Sequence, residues 1–98
     1  MSAESKLNEV IAALEGSIAS TRCKELIGQL EGLGFEVRDG KSVGHKLIFH
    51  SGIPGFHSAS FNCGHGKNPE VKRVYVRKLV RLLKQHDNEL IEHIKQGD

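Results

Sequence analysis

Apolar residues in the first third of the chain fall at helical spacing. Leu7, Val10, Ile11 and Leu14 mark one face of an amphipathic helix of about three turns, with Ser2 or Ser5 as its cap and Gly16 as its stop. That stripe needs a cover. The domain's own core is the default, with Ile18 helping it dock, and a twin or a partner protein is the alternative. Cys23, Leu26, Ile27, Leu30 and Leu33 mark a second helical face, with Ser20-Thr21 as the cap. Gly34 followed by Phe35 has the form of a left-handed C-cap with a hydrophobic contact behind it. Gly28 and Gly32 weaken this helix by roughly 1 kcal/mol each relative to alanine, and read as positions of close packing against a sheet.

The period then shortens to two. Phe35-Glu36-Val37-Arg38 alternates as a half-buried strand does, and Asp39-Gly40 is a strong turn signal. Gly44 to His50 is apolar at its centre and polar at both ends, Ser51 to Gly55 supplies a turn, and Phe56 to Cys63 places Ala59, Phe61 and Cys63 on one face. The glycines of Gly64-His65-Gly66 end the strand. Two starts compete for the last helix: Pro69 at its first position with Asn68 as cap, or a later start after extended chain as far as Arg73, where Val71 and Val74 favour strand. From Tyr75 the stripe of Leu79, Leu82, Leu83, His86 and Leu90 is plain, and Ile91 and Ile94 prolong it past a break at Asp87-Asn88. The face of Leu90, Ile91 and Ile94 suits packing against the first helix. The pattern predicts an α+β fold: a three-stranded antiparallel sheet with helices packed on one face, in the order α-β-β-β-α, plus an extra N-terminal helix. Residues 1–19 form the helical extension and 20–98 the domain proper.

Ninety-eight residues suffice for one core and leave no room for a second domain. At 38% hydrophobic and 27% charged the composition is that of an ordinary globular protein, and no apolar run approaches the ~20 residues of a membrane helix. The first residues lack the basic and apolar regions of a secretory signal, which points to the cytoplasm. In that compartment Cys23 and Cys63 are expected as two free thiols. The formal charge of +2 hides an asymmetry, because Lys67 to Lys84 holds seven basic side chains against the single acid Glu70. Such a block can attract a polyanion, although charge alone reads first as a solvated helix face.

RNA carries its own nucleophile, the 2′-hydroxyl, so a base and a positive environment suffice to cleave it. Histidine titrates near neutrality and can take or give that proton, an effect worth about 10²- to 10⁴-fold. His45, with Lys41, Lys46 and Lys67 to stabilise charge on the phosphate and Gly44 to let it approach the backbone, is a sensible set. The bland reading of His45 is a strand-end residue that merely tolerates solvent. Arg73, Arg77 and Tyr75 at the start of the basic helix are candidate phosphate contacts, although Arg73, Arg77, Lys78, Arg81 and Lys84 spread around it. Phe35, Phe49 and Phe61 read as core, whereas Phe56 beside the turn suits stacking on a base. His45, His50, His57, Cys63 and His65 invite a zinc reading, but their spacing fits no familiar paired motif, so neither metal nor cofactor is expected. His86 and His93 read as surface or packing residues.

The order helix, three strands, helix, entered through Gly34-Phe35-Glu36-Val37, resembles the HicA-type toxin family of mRNA interferases, whose fold is similar to a double-stranded-RNA-binding domain (dsRBD). Val43-Gly44-His45 stands where that family has Gly-Ser-His, so its catalytic histidine corresponds to His45; Val43 and Gly44 are departures. Thr21 to Phe35, Gly64 to Gly66 and Leu79 to Gln85 add to the likeness, which spans about three quarters of the chain. The resemblance implies a metal-independent endoribonuclease with His45 as general acid or base, RNA as substrate and an acidic HicB-type antitoxin as partner. A non-catalytic RNA-binding module on the same fold, and a protein-interaction domain or homodimer using its terminal helices, are the alternatives.

Overall fold

The computed structural model describes residues 2–56, 58–64 and 66–97. Helix α1 (Ala3–Gly16) is capped by the Ser2 hydroxyl, which accepts from the Ser5 amide. Helix α2 (Cys23–Gly32) is followed by strands β1 (Glu36–Asp39), β2 (His45–Phe49) and β3 (Ala59–Asn62), then helices α3 (Arg73–Gln85) and α4 (Asp87–Gly97). The sheet is antiparallel in the order β1-β2-β3, so the predicted α+β class and its extra N-terminal helix are what the chain adopts. No helix among the described residues is long and apolar enough to cross a membrane.

Alternation gives the sheet two unlike faces. Val37, Ile48, Ala59 and Phe61 line the face turned to the helices, with Ile48 and Phe61 fully buried. Glu36, Arg38, His45, Leu47, Phe49, Ser60 and Asn62 share the opposite face, where every side chain is exposed or only half-buried.

The stripe of α1 is covered from within. Leu7, Val10, Ile11 and Leu14 are buried in one core with Val76, Leu79, Leu83, Leu90 and Ile94 of α3 and α4. An interface built on Val10 and Leu14 is therefore unavailable, since the fold has already used those side chains.

Several local expectations need correction. Arg22, not Ser20 or Thr21, is the N-cap of α2 and gives no side-chain cap; the buried Thr21 hydroxyl donates back to the Ser17 carbonyl, and the Cys23 amide donates to Pro69 O. Gly28 and Gly32 have open space where a Cβ would stand, so close packing does not account for them. Gly34 does form the left-handed cap (φ 95°), with the Phe35 amide donating to Leu30 O and its own amide to Glu31 O. The later start of the last helix is the one adopted: Glu70 bridges to Arg22 in extended conformation and α3 opens at Arg73. The break at Asp87-Asn88 is real, with His86 closing α3 and the Asn88 amide donating to the Asp87 carboxylate.

Cys23 and Cys63, expected as free thiols, are joined in a disulfide across 40 residues of sequence, with Cα atoms 5.4 Å apart. The antiparallel run of residues 21–23 beside 69–71 brings the start of α2 against the end of β3. Cysteine spacing gives no sign of that juxtaposition, because it arises only from tertiary pairing.

Candidate functional site

His45 opens β2, opposite Asn62 of β3, and lies half-buried on the open face of the sheet. Its backbone closes the β1–β2 turn on both sides: its carbonyl accepts from the Gly40 amide and its amide donates to Ser42 O. The imidazole rests against Gly40, where any Cβ would run into the ring. Among the described residues nothing hydrogen-bonds that ring, and its Nδ1 side lies against Gly40.

Gly44 fits its place for two reasons. Its φ of 81° is in the left-handed region, and a Cβ there would collide with the carbonyl of Gly64, which follows β3. The Gly44 carbonyl also accepts from the Cys63 amide, and the Gly64 amide donates to the Asn62 side chain. A serine at position 44 would have no room. Residues 44 and 64 are thus packed backbone to backbone, next in sequence to His45 and pinned by the disulfide at Cys63.

The cations named from the sequence are divided by the fold. Lys46 points to the face opposite His45, is only 22% exposed and is paired with Asp39, so it does not stand beside the imidazole. Lys41 is exposed in the β1–β2 turn, which adjoins residue 64 through Gly44; Lys67 is exposed in the connection that leaves residue 64. Both lie on segments at the His45 end of the sheet.

Helix α3 supplies the second cationic element. Arg73, Arg77, Lys78, Arg81 and Lys84 do not spread around it; all five fall on its exposed half, with the buried side chains of Val76, Leu79, Val80 and Leu83 on the other. Arg73, Arg77 and Arg81 repeat every four residues and have no acidic partner among the described residues, whereas Lys84 is bonded to Glu15 at 3.1 Å. Lys78 reaches the Ser60 carbonyl of β3 at 3.5 Å, tying the basic helix to the sheet edge. Tyr75 lies across the helix from Arg73 and Arg77, half-buried against the core, and is removed from the phosphate-contact set.

The other histidines have different work. His50 is 5% exposed and fully engaged: Nε2–H donates to Leu33 O at 2.9 Å, and Nδ1 accepts from the Gly52 amide at 3.1 Å. Burial pushes its pKa down, against the opposing pull of the Leu33 carbonyl, and the neighbouring His93 pushes it down further. Phe35 and His93 pack edge-on to its ring at 4.7 and 4.6 Å. With His50 occupied and Cys63 in a disulfide, two ligands of the zinc reading are spent; His57 and His65 lie outside the described residues.

Sequence reasoning missed one further cluster. On the open face Arg38 binds the Glu36 carboxylate in bidentate fashion, at 2.9 and 3.0 Å, while its guanidinium lies 4.8 Å from the centre of the Phe49 ring. The signal available was the alternation itself, which puts positions 36, 38 and 49 on the same side once the register is known. Phe49, read as core, is half-exposed.

No family model matches this chain, and neither a curated protein nor a solved structure does.

Proposed function

We propose that this protein is a metal-independent endoribonuclease of the HicA-like, dsRBD-like type, with His45 as general acid or base on RNA. The observation that carries the reading is the half-buried imidazole of His45 on the open face of the sheet, next to a turn whose Gly44 packs on the exposed backbone of Gly64. With no side chain at the exposed Gly64, a phosphate can approach the backbone there. The 2′-hydroxyl supplies the nucleophile, so the protein need only move protons and stabilise charge on the phosphate. Lys41 and Lys67 are the cations on the adjoining segments, and Arg73, Arg77 and Arg81, which have no acidic partner among the described residues, offer a stripe for the rest of the backbone. In this reading an acidic HicB-type antitoxin covers the site, and the Cys23–Cys63 disulfide favours an oxidising setting over the cytoplasm expected from the sequence.

Two observations favour a second reading, an RNA-binding module without catalysis. Lys46 is committed to Asp39, and Gly44 has no hydroxyl with which to orient the substrate. A single experiment separates the two: single-stranded RNA is incubated with purified protein in chelator, wild type against His45→Ala. Loss of cleavage in the variant supports the nuclease. Binding that weakens steeply with salt, without cleavage by either protein, identifies the module. Equal cleavage by both removes His45 from the chemistry.

A further inference from the structure

Strand β2 ends, four residues after His45, in a second feature that the nuclease reading leaves unused. A cleft of about 240 Å³ opens at Phe49, between the Glu36–Arg38 pair of β1 and the loop carrying Phe56, with Gly34, His50 and Ser51 completing its wall. Both phenylalanines are half-buried, so each keeps part of its ring accessible. Phe56 is held from behind by edge-on contacts with Phe35 and His86, at ring distances of 5.9 and 5.6 Å. The cleft therefore has aromatic surface, a stacked guanidinium and a carboxylate on one rim. A flat heteroaromatic ring with N–H donors on its edge is the ligand that uses all three.

We infer that this cleft holds one unpaired, amino-bearing nucleobase of the RNA strand whose phosphate lies at His45. The inference rests on the nuclease or RNA-binding reading above and specifies its substrate as single-stranded. Stacking on Phe49 and Phe56 requires a base whose faces are free, and a duplex does not offer one. Arg38 has a double part: it stacks on Phe49, and its two hydrogen bonds fix the Glu36 carboxylate. The hydrogen bond from Arg38 holds the Glu36 carboxyl below its usual range. An ionised carboxylate has acceptor positions beyond the two that Arg38 uses, and it suits the exocyclic amino group of cytosine, adenine or guanine better than the carbonyl edge of uracil. At about 3.3 Å per residue, the four steps from Phe49 to His45 span roughly 13 Å along one rigid strand, so a base anchored in the cleft sets which phosphate meets the imidazole.

The test measures binding of short single-stranded RNAs by anisotropy, in a His45→Ala background that prevents cleavage, with 2-aminopurine as a stacking reporter. The chain has no tryptophan to obscure that signal. Phe49→Leu is expected to weaken binding by about 5- to 150-fold and to abolish 2-aminopurine quenching. Glu36→Ala is expected to erase a preference for oligocytidine over oligouridine. Arg38→Ala, at an exposed side chain, repeats the test on a position that folding tolerates, with weaker binding and reduced quenching expected. Unchanged affinity and quenching in both Phe49→Leu and Arg38→Ala overturns the cleft while leaving RNA binding elsewhere intact. No RNA binding by the parent protein overturns the cleft and the nuclease reading together. Cleavage unaffected by His45→Ala, with the Phe49→Leu effect present, retains the cleft and sinks only the catalytic assignment.

Discussion

His50 gives the sharpest physical prediction, because its two nitrogens are committed in opposite senses. Nε2–H donates to Leu33 O and Nδ1 accepts from Gly52 N–H, an arrangement only the neutral ring can make. A second proton on Nδ1 would face an N–H donor and break the bond from the exposed Gly52 amide, at a cost of about 0.5–1.5 kcal/mol. The groups packed against the ring are Phe35, the Leu33 carbonyl and His93 of α4, none of them an acid that would favour the cation. The folded-state pKa is accordingly depressed below that of the unfolded chain, near 6.5. The sign follows: stability from this residue is fully present above the unfolded pKa and is lost as pH falls toward and through the folded one, because the unfolded chain takes up the proton first. Between those two ionisations the loss is at most about 1.4 kcal/mol per pH unit, and smaller to the extent that water screens the ring. Urea denaturation from pH 8 to pH 5, followed by circular dichroism, measures it in wild type and in His50→Gln, which retains a donor for Leu33 O and does not titrate. The variant should start about 0.5–1.5 kcal/mol less stable at pH 8, from loss of the acceptor for Gly52, and show a distinctly flatter profile on acidification. Parallel profiles would refute the argument.

Two further predictions concern the frame of the site. Gly44→Ala combines a left-handed backbone with a collision at Gly64 O, and should cost about 1–3 kcal/mol in chemical denaturation, more than the same change at the exposed Gly28, where it should stabilise. Opening the disulfide by Cys63→Ser releases a loop of 40 residues, for which chain entropy gives a loss of about 4 kcal/mol. The same denaturation assay, run with and without reductant, checks this; wild type should be sensitive to reductant and the variant indifferent.

Much of the fold was legible in the chain. Leu7 to Leu14, Cys23 to Leu33 and Leu79 to Ile94 announced their helices because burial on one face imposes a helical period, and Phe35 to Arg38 announced a strand because a half-buried sheet imposes alternation. Gly34 could be read as a left-handed cap since few other residues enter that conformation readily. The site was legible only in part. His45 and Gly44 stood out as residue types in a chemically suggestive order, but Lys46 looked like its neighbour in space because it is its neighbour in sequence. Adjacent strand residues point to opposite faces, and the pleat sent Lys46 to Asp39.

Local physics, then, set which segments became helix or strand, because backbone preference and face-by-face burial act over a few residues. Register and packing decided everything that depends on residues distant in sequence. They brought Cys23 to Cys63, set Gly44 against Gly64, enclosed His50 among Phe35, Leu33 and His93, and left Phe49 accessible beside Glu36 and Arg38. Such contacts come from closing long loops around one core, and the chain carries no short-range signal of where its distant parts will meet.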